Sequence, residues 1–175
     1  MLKIILIVIA LVAVGIIAYA ATRPDVFRVE RRIVIAAPPE QIYPLIEDFH
    51  RWPTWSPYEK KDPAMKRDFS GAATGQGAVY AWDGDRNIGS GRMEITGVSA
   101  PNKIVIQLDF FKPFKASNVA EFSIVPRDGG SEVSWAMYGP APFMSKLMGL
   151  FFDMDKMVGT DFEAGLASLK AAAEH

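Results

Sequence analysis

Cysteine is absent from the chain, and histidine occurs only twice, at His50 and the C-terminal His175. The first absence excludes disulfides, thiolate nucleophiles and zinc sites of the CxxC type. The second leaves no material for a histidine-rich metal centre or a Ser-His-Asp triad, and His50, alone in a loop, reads as structural or solvated. An excess of one charge is missing too: 19 Lys and Arg stand against 20 Asp and Glu, for a formal net charge of -1. A nucleic-acid partner needs a concentrated basic face, so none is expected here. Internal repeats and low-complexity stretches are also lacking, and no residue pattern calls for a metal or cofactor. The oligomeric state is not encoded in any of these features.

What the chain does have is one long apolar run. "IILIVIALVAVGIIAYAA", Ile4 to Ala21, carries no charge over 18 residues, near the lower limit for a helix that crosses a bilayer. Residues 1–22 read as a membrane anchor, with a cleaved signal peptide as the alternative because Ala18-Tyr19-Ala20 fits a small-x-small site. Arg23, Arg28, Arg31 and Arg32 follow the span, but Asp25 and Glu30 lie among them, so the side on which the rest of the chain sits stays open. Residues 23–26 form a short linker, and 27–175 are long enough for one domain with its own core.

Within that domain "FRVERRIVI" (27–35) reads as a strand with Phe27, Val29, Ile33 and Ile35 on one face. Arg31 shares that face, and a bulge that turns it to solvent is expected. "APPEQIYPLIEDF" follows with Ile42, Leu45, Ile46 and Phe49 at helical spacing behind Pro38 and Pro39. "DFHRWPTWSP" (48–57) places two of the four tryptophans, Trp52 and Trp55, in a segment too broken by proline for a regular helix or strand. After a polar link, "EKKDPAMK", six beta-like runs succeed one another between turn sequences such as "GDRNIG", "APNK", "KPFKA" and "RDGGS". Six runs joined this way imply an antiparallel meander. Met93 with Ile95, Ile104 with Ile106, Leu108 and Phe110, and Val133 with Trp135 and Met137 define a dry face. Arg92, Glu94, Gln107, Asp109 and Ser134 define a wet one.

From Phe143 onward, Met144, Leu147, Met148, Phe151, Asp155, Val158, Phe162, Leu166, Leu169 and Ala173 keep a 3.6 period. This predicts one long amphipathic helix able to cover the dry face, with Gly149, Gly159 and Gly165 marking a kink or a close approach. The class is α+β: a curved seven-stranded antiparallel sheet around a long C-terminal helix, preceded by a transmembrane helix.

The stretches "VERRIVIAAPPEQIYPLIEDFHRWPTWSP", "GSGRMEITGVSAPNKIVIQLDF" and "DKMVGTDFEAGLASLK" resemble the START/Bet v 1-like (SRPBCC) superfamily, specifically its polyketide cyclase/dehydrase and lipid-transport type. The resemblance runs over residues 27–173 and implies a helix-grip fold with a hydrophobic cavity between sheet and helix, often used for lipids or polyketides. It does not imply one chemistry, because the fold hosts carriers, enzymes and co-chaperones alike.

On that basis the candidate cavity-lining residues are Trp52, Trp55, Tyr80, Trp82, Met93, Phe110, Trp135, Met137, Met144, Met148, Phe152 and Met157. Methionine and aromatic side chains suit apolar ligands of varied shape. Tyr80, Tyr138 and Arg31 are the polar groups available to orient a ligand. Asp83, Glu94, Asp109, Asp153 and Asp155 are titratable, but no pair has a spacing that identifies a mechanism, so no catalytic residue is assigned. A small apolar ligand and the membrane are the expected partners. A polyketide cyclase-like enzyme and a protein-interaction module are the alternatives.

Overall fold

The computed structural model describes all 175 residues. Helix α1 (Leu2–Ala21) leads by a four-residue link, Thr22 to Asp25, into strand β1 (Val26–Ile35). Three short helical pieces follow: α2 (Pro39–Glu47), a 3-10 helix (Phe49–Thr54) and α3 (Pro57–Lys61). Then come β2 (Lys66–Gly71), β3 (Ala78–Asp83), β4 (Ser90–Ser99), β5 (Lys103–Lys112), β6 (Ala116–Arg127) and β7 (Gly130–Pro140). All seven strands form one antiparallel sheet in the order β1-β7-β6-β5-β4-β3-β2. Only β1 is out of sequence order, returning to pair with the last strand. The α+β helix-grip expectation therefore holds.

Period-2 alternation sets the faces. Ile95, Ile104, Ile106, Phe122, Ile124 and Val133 are at most 1% exposed and point to the concave side. On the convex side the outward positions carry charge, with Arg28 and Arg32 both on Glu30 and Arg92 on Glu94 at 2.6 Å along their own strands, and Lys103 on Glu121 at 3.1 Å across strands. Tyr138, one residue out of phase with Met137, lies on this outer face, its ring 5.2 Å from the Arg28 guanidinium. It is therefore not available to a ligand on the concave side.

The C-terminal region is not one long helix. α4 (Phe143–Met148) stops at Gly149, and α5 (Met154–Ala173) starts afresh five residues later. Asp153 caps the new start by accepting a hydrogen bond from the Lys156 amide at 3.0 Å, a bond that competes with continuation of the preceding helix. The break also splits the apolar stripe. Phe162, Leu166 and Leu169 on α5 are buried against the sheet, while Met144, Met148 and Phe151 before the break are 47–71% exposed.

Arg31 does not bulge out. It keeps regular register opposite Trp135 and reaches towards α5. Its guanidinium donates to both Asp155 carboxylate oxygens, at 2.9 and 3.1 Å, and to Glu163 at 2.7 Å. The awkward arginine of the strand is thus the clasp that ties β1 to the first turns of α5. Two glycines let that helix come close: a Cβ at position 159 would overlap the Arg31 guanidinium, and one at 165 would stand 2.7 Å from the Trp135 ring.

Candidate functional site

Why do two tryptophans fall within four residues of a proline-broken segment? Helix α2 ends at Glu47, so its last carbonyls lack helical partners. The Trp55 indole N–H donates to Leu45 O at 2.8 Å and the Trp52 indole N–H to Ile46 O at 2.9 Å. Each ring thereby caps α2 and then extends into the core. Trp55 meets Phe122 at 5.9 Å and Trp135 at 5.7 Å between centroids, and Trp135 stacks on Phe162 of α5 at 4.0 Å and 9°. Trp52, Trp55 and Trp135 are at most 3% exposed. They fill the space between α5 and the sheet as packing. Trp135 Nε1 is buried there without a hydrogen-bond partner.

The concave face has two ends, and they differ. At the end holding the β2–β3, β4–β5 and β6–β7 turns, α2 and the 3-10 helix lie over the face, with Ile46, Phe49, Trp52 and Trp55 at most 3% exposed and the Gly75 amide of the β2–β3 turn bonded to Glu47 O. At the other end, where β1 begins and β7 finishes, α5 offers no cover, because it starts only at the level of Arg31. Phe27, Val29, Met137, Leu108, Phe110, Met93 and Trp82 lie along this end of their strands. Trp82 and Phe110 stand edge to face at 5.8 Å and are both half-buried. Open grooves of about 330 and 380 Å3 flank Phe111 on the outer side of the sheet, the first taking in Asp68, Ala81 and Asp83 and the second Asp109 and Ser117. The smaller one is rimmed by Lys66, Arg67 and Lys112 as well as Asp68 and Asp83.

The sequence-derived candidates thus fall into three groups. Trp52, Trp55 and Trp135 form the aromatic core. Tyr80, Trp82, Met93, Phe110 and Met137 line the concave face towards its uncovered end. Met144, Met148, Phe152 and Met157 are brought to neither place; they are 47–63% exposed on α4, on the link to α5 and on its first turn.

One polar constellation escapes a sequence reading. Glu59, 7% exposed, accepts from Tyr80 Oη at 2.6 Å and from Arg67 Nε at 2.7 Å. Burial and the hydrogen bond to Glu59 push the Tyr80 phenol far above its ordinary range. Glu59 sits in "YEKKD", where flanking lysines make it look solvated; the one cue is Pro57 two residues earlier, a helix-start residue that places Glu59 in the first turn of α3. The other titratable candidates are spoken for. Asp153 caps α5, and Asp155 holds Arg31, which keeps its carboxyl below the usual carboxylate range. Asp109 accepts from Gln107 and Ser117 on the outer face. Asp83 faces Lys112 at 3.4 Å and Glu94 faces Arg92. His50 is exposed, 3.1 Å from Asp48 and stacked on Phe69 at 4.2 Å. No cluster of three or more His, Asp or Glu side chains stands close enough to hold a metal ion.

An open antiparallel sheet gripping a C-terminal helix, with one closed and one open end to its concave face, defines a START/Bet v 1-like domain. The chain belongs to the polyketide cyclase / dehydrase and lipid transport family, whose model matches residues 26–174. Similar solved structures include protein CV1439 from Chromobacterium violaceum, at 15% identity and a TM-score of 0.59 over 87% of this chain and 99% of that one. The Aha1 dimer from Colwellia psychrerythraea matches at 19% identity and a TM-score of 0.56, covering 85% of this chain and 96% of that one. The di-domain ARO/CYC StfQ of the steffimycin biosynthetic pathway matches at 13% identity and a TM-score of 0.62, with 85% of this chain covering 51% of StfQ. At these identities the likeness is one of fold. No curated protein sequence matches the chain.

Proposed function

We propose that this protein is a membrane-tethered binder of a small apolar molecule, held at the uncovered end of the concave face. The observation that carries this reading is that end itself. α5 begins only at the Arg31 clasp, and beyond it Trp82 and Phe110 stay half-buried on the concave side while Met93 and Met137 are 7% and 8% exposed. Ligand sites are concave and mostly apolar, with a few polar groups for orientation. Family membership supports the same class of ligand. The tether is α1, 20 residues long with a mean hydropathy of 3.0 over its most apolar window.

The test is extraction and small-molecule mass spectrometry of the full chain purified in a mild detergent. A retained apolar compound near one per chain, lost in a Trp82→Ala/Phe110→Ala variant that still folds, is the expected result. An empty protein whose melting temperature no lipid or polyketide raises would overturn the reading.

A cyclase-like enzyme is the second reading, and one observation favours it: the buried Glu59–Tyr80 pair lies next to Trp82, the Tyr80 and Trp82 rings being 6.3 Å apart. A Tyr80→Phe variant that retains ligand but no longer converts it would support that reading over simple binding.

A further inference from the structure

The sheet end that the anchor approaches is also where the exposed aromatic side chains gather. β1 begins at this end, four residues after α1, and the backbone of Ala141 donates to Asp25 O at 2.7 Å. Lys146 of α4 bridges to Asp25 at 2.6 Å, and α4 packs against α1. Two segments project here. One is the β5–β6 turn, where Phe111 is 51% and Phe114 74% exposed, with Lys112 and Lys115 on either side of Phe114. The other is the α4–α5 link with the end of α4 before it, where Met148 is 47%, Phe151 71% and Phe152 57% exposed. In the sheet order the turn lies two or three strands from β1, about 10–15 Å at the usual strand spacing. The opposite end carries turns of different composition: "AATGQ", "APN" and "RDG" hold no aromatic residue.

A soluble domain does not ordinarily leave four phenylalanines together in water, and such patches mark interaction sites. The occupant follows from α1. A helix able to cross the bilayer, joined by four residues, holds this end of the sheet against the membrane surface and leaves the other end away from it. Aromatic and methionine side chains with lysines between them are what a lipid interface accepts: rings at the acyl boundary, ammonium groups at the phosphates.

We propose that the β5–β6 turn and the α4–α5 link dock into the membrane interface, so that the uncovered concave end opens onto lipid rather than water. This rests on the tethered-binder reading and adds the source of the ligand, namely a bilayer lipid or a compound dissolved among acyl chains.

Because the chain has no cysteine, single cysteines can be placed at will. Phe114→Cys, Phe152→Cys and, as control at the far end, Thr74→Cys would be labelled with an environment-sensitive fluorophore. The full chain would be reconstituted in vesicles of about four parts phosphatidylcholine to one part phosphatidylserine. The expected result is a blue shift and quenching by nitroxide-bearing lipids at 114 and 152, with neither at 74.

Labels at 114 and 152 that stay as wet as the one at 74 would overturn the docking. So would labels shielded from water yet not quenched by lipid, the signature of a second copy covering the face. Sodium carbonate washing the chain off the vesicles would defeat the tether and the docking together. Ligand content is read separately by mass spectrometry, so a docked but empty domain sinks the binder reading while sparing the docking.

Discussion

The Arg31 guanidinium occupies the volume that a side chain at position 159 would need. Gly159 therefore does for β1 what Gly165 does for Trp135, but the two neighbours differ in kind. Arg31 is the far end of a flexible chain and can swing away. Trp135 is a rigid ring wedged among Trp55, Phe122 and Phe162. Either glycine changed to alanine gains about 1 kcal/mol of helix propensity. Gly165→Ala must then overpack the core at a cost of about 1–3 kcal/mol, whereas Gly159→Ala gives up only a clasp whose carboxylates are 61% and 62% exposed. Urea denaturation followed by tryptophan emission should show Gly165→Ala clearly less stable and Gly159→Ala close to the parent. All four tryptophans lie in the domain and none in α1, so the signal reports on the right part of the chain.

The same clasp carries a pH dependence. The Asp155 carboxyl is held below its ordinary value chiefly by its hydrogen bond from Arg31. A carboxylate with a depressed folded-state pKa contributes stability above its unfolded pKa of about 3.9 and loses it as pH falls through the folded value. Asp155→Asn should therefore lower stability by a constant amount above about pH 5, with the difference closing as the pH drops below about 4. Denaturation midpoints of parent and variant at several pH values would decide this. A gap that persists at low pH would mean that Asp155 acts by helix-end packing rather than by charge.

Most of the fold was legible in the sequence because strands announce themselves twice, by alternation and by the turn residues that end them. "FRVERRIVI" falls within β1, and "GDRNIG", "APNK", "KPFKA" and "RDGGS" fall at the β3–β4, β4–β5, β5–β6 and β6–β7 junctions. The C-terminal region was not legible in the same way. Gly149 by itself does not say whether a helix kinks or stops, and the decision rests on Asp153 folding back onto the Lys156 amide. A 3.6 period shows that Met144, Met148 and Phe151 share a side with Phe162 and Leu166, but not that the break at 149–153 turns the first three outward. Arg31 was misread for a related reason. An arginine on an apolar face looks like an error of register until its two carboxylate partners, more than 120 residues away, are in view. Glu59 was hidden ahead of two lysines, since the tyrosine that buries it comes from another element.

Trp55 and Trp135 offer a controlled comparison, because both are buried in one aromatic cluster and only one has its N–H satisfied. Replacing Trp55 by Phe removes packing and leaves Leu45 O without its donor, an added loss of about 1–3 kcal/mol. Replacing Trp135 by Phe removes similar packing but also deletes a buried donor that has no partner, which offsets part of the cost. Trp135→Phe should be the milder of the two by about 1–2 kcal/mol in chemical denaturation. Equal losses would indicate that a water or ligand atom meets Trp135 Nε1 in solution.

The Glu59 triad separates a structural role from a working one. Its carboxylate is 5% exposed and depends on Arg67 and Tyr80 for compensation. Arg67→Met leaves a buried charge without its cation and should cost about 3 kcal/mol. The double variant Glu59→Gln/Arg67→Met removes the charge as well as the partner, so it should recover much of that loss. Tyr80→Phe deletes one hydrogen bond to a charged group, a cost of about 1.5–3 kcal/mol, while keeping the ring that stacks on Phe69 at 4.9 Å. If the triad only holds α3 against β2 and β3, ligand retention should follow stability through all three variants. A Tyr80→Phe protein that stays folded and filled yet fails to transform its ligand would instead place the phenol in a reaction.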